Sequence, residues 1–160
     1  MRKSKTDSLE AAKEYAFLLL KFRLRSAKEL EERLKKKKFN PEIIKEVISF
    51  LKEKKFLDDV LFAKGWIQSR IKRPLGIRKI KQELNIKGID KEIIESNIRE
   101  LKEDYSEEGI VRELAQERLN KLKGIEPRAA QRRVYAYLIR RGFSPEIIID
   151  VINNLCKQTF

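Results

Sequence analysis

Basic side chains recur in this sequence at three corresponding places. Residues 64–81 carry Arg70, Lys72, Arg73, Arg78 and Lys79 and no acid at all. Residues 118–141 carry Arg132, Arg133, Arg140 and Arg141, among others, against the single acid Glu126. In the first third, Lys21, Arg23, Arg25 and Lys28 precede a run of four lysines that begins with Lys35 and Lys36. Groups of this kind bind polyanions. A guanidinium is planar and bonds phosphate or carboxylate through two N–H groups at once, and each neutralised phosphate releases counterions. The whole chain has 38 basic and 25 acidic residues, a net charge of +13. That balance speaks of partners (nucleic acid, an anionic membrane face, an acidic protein) rather than of fold.

Catalytic chemistry finds little to use. There is no histidine, so no imidazole base, and one cysteine, Cys156, cannot build a zinc site. No glycine-rich phosphate loop occurs. The one tempting acidic pair, Asp58-Asp59, stands just before a helical pattern, where an N-cap and a dipole partner account for it. The expectation is no enzyme, no cofactor and no metal. A single cysteine and the lack of a long apolar run point to a cytoplasmic chain with no membrane span.

The elements that position the basic groups are written three times. Phe39-Asn-Pro-Glu-Ile-Ile, Ile89-Asp-Lys-Glu-Ile-Ile and Phe143-Ser-Pro-Glu-Ile-Ile open three matching segments, with Leu34, Leu84 and Leu138 each five residues upstream. A period near 50 residues signals stacked supersecondary units. Apolar residues at i, i+1, i+4, i+5 and i+8 (Ile43, Ile44, Val47, Ile48, Leu51) predict a closing helix in each unit, buried along one stripe. Ile43, Ile48, Ile93, Ile98, Ile147 and Ile152 are expected inside, with Asn97 at the stripe's edge. Asn40, Asp90 and Ser144 are N-caps. Middle helices are expected over 26–37, 77–87 and 127–141. Gly88 and Gly142 end the last two in the left-handed conformation, and Lys38 stands in that position in the first. Opening helices are expected over 7–25, 59–72 and 107–123, with Phe22 and Trp66 facing inward. The reading is all-α: an elongated array of three tandem three-helix repeats, at 1–57, 58–105 and 106–160.

Charge is uneven across these repeats. The first holds 17 basic and 9 acidic residues. The outward faces of the closing helices hold acids at each copy: Glu42 and Glu46, then Glu92, Glu95 and Glu100, then Glu146 and Asp150. The threefold recurrence of basic groups at one structural place predicts a basic strip, and acid on the closing helices argues against their entering a DNA groove. Tyr135 and Tyr137 lie in the third basic region, and at helical spacing they read first as core.

Residues 56–70 (FLDDVLFAKGWIQSR) and 73–90 (RPLGIRKIKQELNIKGID), with 18–34 (LLLKFRLRSAKELEERL), resemble the RecX family of bacterial recombination regulators. The likeness runs from about Ala11 to Leu155. It departs at Pro74-Leu75-Gly76, where the family often has Gly-Pro, and at Lys38. The resemblance implies a monomeric regulator that binds RecA–DNA filaments, meets single-stranded DNA directly or through the filament, and inhibits the recombinase in recombination, repair and the SOS response. The filament-facing residues are then expected among Arg23, Arg25, Lys35, Lys36, Arg70, Lys72, Arg73, Arg78, Lys79, Arg132, Arg133, Arg140 and Arg141. The alternative is a freestanding nucleic-acid-binding protein that recognises no particular sequence.

Overall fold

The computed structural model describes residues 8–101 and 104–157. Among them are nine α-helices and no strand: α1 (Leu9–Phe22), α2 (Ala27–Lys36), α3 (Pro41–Glu53), α4 (Asp59–Ile71), α5 (Ile77–Ile86), α6 (Lys91–Leu101), α7 (Glu107–Lys121), α8 (Pro127–Arg140) and α9 (Pro145–Lys157). The fold is all-α and built from three three-helix repeats.

Local chemistry sets the helix starts. Ser26 and Glu29 close a capping box at α2, each side chain bonding the other's backbone N–H. Asn40 and Asp90 accept from the N–H groups of Glu42 and Glu92. Asp58 accepts from Val60 and Leu61, which is the capping role read for it. Glu126 caps α8 through two backbone N–H groups, and these hold its carboxyl below the ordinary value. The turns after α2, α5 and α8 take the left-handed conformation at Lys38, Gly88 and Gly142.

Two compact units form. The first holds the described residues up to Trp66 together with Leu84–Ile94; the second holds Ile67–Glu83 and the described residues from Glu95 on. The middle repeat is divided between them. In the first unit α1, α2 and α3 close on Ala12, Ala16, Leu19, Leu30, Leu34, Ile44, Val47 and Leu51. In the second, α7, α8 and α9 close on Val111, Ala115, Val134, Leu138, Phe143, Ile148, Val151 and Ile152.

The closing-helix stripe is shifted from the sequence reading. The deepest positions are Ile44, Val47 and Leu51, spaced i, i+3, i+7. Ile43 and Ile48 flank that line on either side and are half-buried. Likewise Ile93 and Ile147 are half-buried, while Ile94 and Ile148 are buried. Ile98 and Ile152 are buried as expected. Asn97 therefore stands at the centre of the stripe, 5% exposed, and not at its edge. Phe22 is 77% exposed, because it lies about 100° around α1 from the line of Ala12, Ala16 and Leu19. Trp66 is half-buried, stacked on Phe62 at 5.7 Å with the Lys87 ammonium 4.9 Å from its ring centroid.

Candidate functional site

Each middle helix begins beside the turn that ends the next one, and this contact is made once in each unit. In the first unit, the Ser26 hydroxyl at the start of α2 donates to the Lys87 carbonyl at 2.7 Å. Asp59, the first residue of α4, accepts the Ala27 N–H at 2.9 Å. In the second unit, the Gly76 N–H at the start of α5 donates to the Arg141 carbonyl at 2.8 Å. Glu107, the first residue of α7, accepts the Ile77 N–H at 2.8 Å. Each carboxylate thus caps a helix of the preceding repeat. Tyr105 adds a bond to the Leu75 carbonyl at 2.7 Å, and burial raises its phenol above the ordinary value.

Beyond the second contact the helices part and leave a cleft of about 470 Å³ lined by Arg78, Lys79, Gln82, Ile139, Arg140 and Gly142. Three of its six lining residues are cations and none is a carboxylate. α5 has no acid in its first turn, and the carboxylate nearest the cleft cations is Glu146 in the first turn of α9, which Arg78 helps to hold below its ordinary value after its own backbone N–H and Ser144. Arg141 is fixed beside it: its guanidinium donates to the Pro74 carbonyl at 3.0 Å and lies 4.9 Å from the Tyr137 ring centroid. Arg118 lies 4.2 Å from that same centroid, so the Tyr137 ring is engaged by two guanidiniums. Tyr135 and Tyr137 both pack against the core of their unit, as their spacing indicates.

Arg78, Lys79 and Arg140 are therefore brought together. The other basic residues singled out by the sequence divide into two groups. Arg23 forks onto Glu29 at 3.0 and 3.2 Å, Arg25 donates to the Leu19 carbonyl at 3.4 Å, Lys35 pairs with Glu31, and Arg70 pairs with Glu83 at 2.6 Å. Burial, with Arg23 beside it, lowers the Arg25 guanidinium from its ordinary value. Lys36, Lys72, Arg73, Arg132 and Arg133 are exposed and make no side-chain hydrogen bond or ion pair among the described residues. Gln82 and Ile139 escaped the sequence reading because they carry no charge. Their signal was register: Gln82 is one turn beyond Arg78, and Ile139 adjoins Arg140.

No helix among the described residues is long and apolar enough to cross a membrane, and no group of three or more potential ligands could hold a metal ion.

Known proteins place this arrangement. Three family models match in succession: the first three-helix domain of RecX over residues 12–51, the second over 58–96 and the third over 106–152. The chain is 30% identical over 149 residues to the regulatory protein RecX of Chlorobium limicola, covering 92% of this chain and 91% of that one. It is 31% identical over 155 residues to the regulatory protein RecX of Clostridium botulinum, covering 96% and 73%. The crystal structure of RecX from Lactobacillus salivarius superposes with a TM-score of 0.79 at 25% identity, over 92% of this chain and 96% of that one. With its three three-helix domains in family order, the chain belongs to the RecX family of regulatory proteins.

Proposed function

We propose that this chain binds RecA–DNA filaments and restrains the recombinase, with the basic cleft between α5 and α8 turned toward the filament. The observation that carries the reading is the convergence of Arg78, Lys79 and Arg140 on one cleft with no carboxylate in its lining. Arginine and lysine so placed suit a phosphodiester track. Arg132 and Arg133 repeat the register of Arg78 and Lys79 in α8, and exposed Lys72 and Arg73 extend the same chemistry before α5. Arg70, Arg23, Arg25 and Arg141 act chiefly within the protein, where each holds a carboxylate or a carbonyl. The chain acts by binding and has no catalytic step of its own.

The test is recombinase ATPase on single-stranded DNA, with and without this protein. Wild type should lower the rate. Arg78→Glu, Lys79→Glu and Arg140→Glu together should abolish the inhibition and leave helix content unchanged, because Arg78 and Arg140 are exposed and Lys79 is half-exposed. If the cleft meets phosphate, filament affinity should fall steeply with salt, and the slope of log K against log salt should drop by about 0.7 for each lost contact to a single strand. Reversing Glu92 and Glu100, exposed on α6, should do little. Inhibition that survives the cleft variant would show that another face meets the filament. Equal affinity for bare single-stranded DNA and for the filament would favour the freestanding nucleic-acid binder.

A further inference from the structure

Two residues that line the cleft between α5 and α8 have nothing to offer a phosphate oxygen beyond one amide donor. The cleft closes where the α8–α9 turn meets α5: a Cβ added to Gly142 would lie 2.3 Å from Lys79 Cβ. From that contact each wall carries one uncharged side chain, one turn away. On α5 it is Gln82, four residues after Arg78 and three after Lys79. On α8 it is Ile139, three residues before Gly142 and adjacent to Arg140. Gln82 is exposed and makes no side-chain hydrogen bond among the described residues. Ile139 is half-buried; it packs against the core of its unit and also faces the cleft. All six lining residues belong to the second unit.

The charges around the cleft are unequal. Glu146 lies near Arg78 and offsets part of its charge. Glu83, next to Gln82 in sequence, is held by Arg70 at 2.6 Å, and Lys81 is held by Glu95 at 2.7 Å. Lys79 and Arg140 pair with no carboxylate among the described residues. A bare oxyanion would satisfy these cations and leave the rest of the lining without a purpose. An ionised phosphate or carboxylate oxygen only accepts hydrogen bonds. It can meet the Gln82 amide N–H but not the Gln82 carbonyl, and it has no apolar surface for Ile139. A nucleobase supplies both: its edge carries donors and acceptors, and its ring is a plane that apolar groups and guanidiniums cover. The volume, about 470 Å³, is that of a site for a small organic molecule. Exposed Arg132 and Arg133 stand two turns before Ile139 and Arg140 on the same face of α8 and make no ion pair among the described residues. Cations that continue along the wall suit further phosphates, which favours a strand over a free nucleotide.

We infer that the cleft seats one whole nucleotide of a single strand, its phosphate on Lys79 and Arg140 and its base between Ile139 and the Gln82 amide. The inference deepens the filament reading and rests on it only in taking nucleic acid as what the cleft binds. Three probes test it: a thymidine oligonucleotide, an abasic strand of the same length and charge, and a recombinase filament assembled on DNA that carries thiothymidine. Wild type should bind the oligonucleotide about tenfold more tightly than the abasic strand. The salt slopes should be alike, because the phosphates are alike. Gln82→Ala should weaken binding to the oligonucleotide about fivefold and leave binding to the abasic strand unchanged. Gln82 is exposed, so the fold should survive. Irradiation of the filament should join the thiothymine base to the cleft-lining part of α5 or α8. Equal affinity for the two strands, or adducts confined to other helices, would reduce the cleft to a phosphate seat and overturn the inference while the filament reading stands. Polyglutamate or free thymidine monophosphate binding as tightly as the oligonucleotide would overturn it also. Adducts in the cleft with bare strands, without binding to filaments, would support the base seat and defeat the filament reading. Failure to bind DNA in either form would defeat both.

Discussion

At the first junction between repeats, the start of α2 meets the α5–α6 turn; at the second, the start of α5 meets the α8–α9 turn. Positions 50 residues apart correspond along α2 and α5, and 54 along α5 and α8. The second cleft is lined by Arg78, Lys79 and Gln82 on one side and Ile139, Arg140 and Gly142 on the other. The corresponding residues of the first junction are Lys28, Glu29 and Glu32 opposite Asn85, Ile86 and Gly88. Two of the three near-side positions have changed from acid to base or amide. In the first junction Glu29 binds both Arg23 and Lys87, and Lys28 donates to the Ile86 carbonyl at 3.2 Å. Its cations are spent on its own carboxylate and backbone. In the second junction Lys79 stands where Glu29 would be, so Arg141 turns to the Pro74 carbonyl and the cleft keeps its positive charge. One scaffold contact thus serves as a clasp in one place and as an anion-binding cleft in the other, decided by a few side chains.

The contact is also closer in the second junction. A Cβ added to Gly76 would come within 2.1 Å of the Gly142 carbonyl oxygen, which is backbone and cannot swing aside. Ser26, at the corresponding place, is fully buried with its Cβ and hydroxyl accommodated. Gly76 does not have a positive φ, so the cost of a side chain there is steric alone. Gly76→Ala should destabilise the protein by about 2–3 kcal/mol, the upper range for overpacking. Ser26→Ala should cost about 1 kcal/mol, by loss of the cap. Denaturant midpoints for the two variants measure the difference. Equal losses would mean that the junctions are equally close.

The next effect is acid sensitivity. Burial pushes the Glu29 carboxyl up, but hydrogen bonds from Arg23 and Lys87 outweigh it and hold the group below its ordinary value of 4.5. A carboxyl depressed in the native state stabilises the fold above its unfolded value, and that stability is lost as pH falls through the native value. Glu29→Gln should therefore cost about 1–2 kcal/mol near neutrality and progressively less as pH falls from 4.5 through the lower native value, flattening the profile in that range. Lys79 brings no carboxyl to its junction, so Lys79→Gln should leave the profile's shape alone. Thermal unfolding followed from neutral pH into acid tests both. An unchanged acid limb in Glu29→Gln would remove the clasp from the account.

The sequence carried what is local. Capping residues, prolines at helix starts and the triplicated Glu-Ile-Ile register give the nine helices of the described residues because each depends on a few adjacent residues. The stripe was read one position off, since i, i+1, i+4, i+5 spacing leaves open which of two neighbouring isoleucines is deeper; packing from α1 and α2 selects Ile44 over Ile43. Asn97 was misplaced by the same shift. Charge counting found Arg78, Lys79 and Arg140 but could not separate them from Arg70 and Arg23. That separation depends on where Glu83 and Glu29 fall once the chain has folded. Junction contacts such as Ser26 to Lys87 span 61 positions and leave no local trace.

The smallest expected effect concerns the left-handed turn that all three middle helices share. Gly88 and Gly142 hold φ of 74° and 85°, and Lys38 holds 62°. At Gly88 an added Cβ would lie 2.5 Å from Lys28 Cδ and 2.7 Å from its Cβ; at Gly142 it would lie 2.3 Å from Lys79 Cβ. Those two glycines answer both to backbone conformation and to the helix packed on the turn. Lys38 is exposed, so its turn has room for a side chain and bears only the conformational cost. For an L-residue that cost is about 1 kcal/mol, partly offset by the greater entropy a glycine loses on folding. Lys38→Gly should then stabilise the protein by about 0.5 kcal/mol, raising the melting temperature by about 1–2 °C. The converse change, Gly88→Lys, adds a clash with Lys28 to the backbone strain and should destabilise by clearly more than the first change gains. Melting curves of the two single variants decide the point. Effects of equal size and opposite sign would show that conformation alone sets the residue at this turn, and that the neighbouring helix has no part in requiring glycine there.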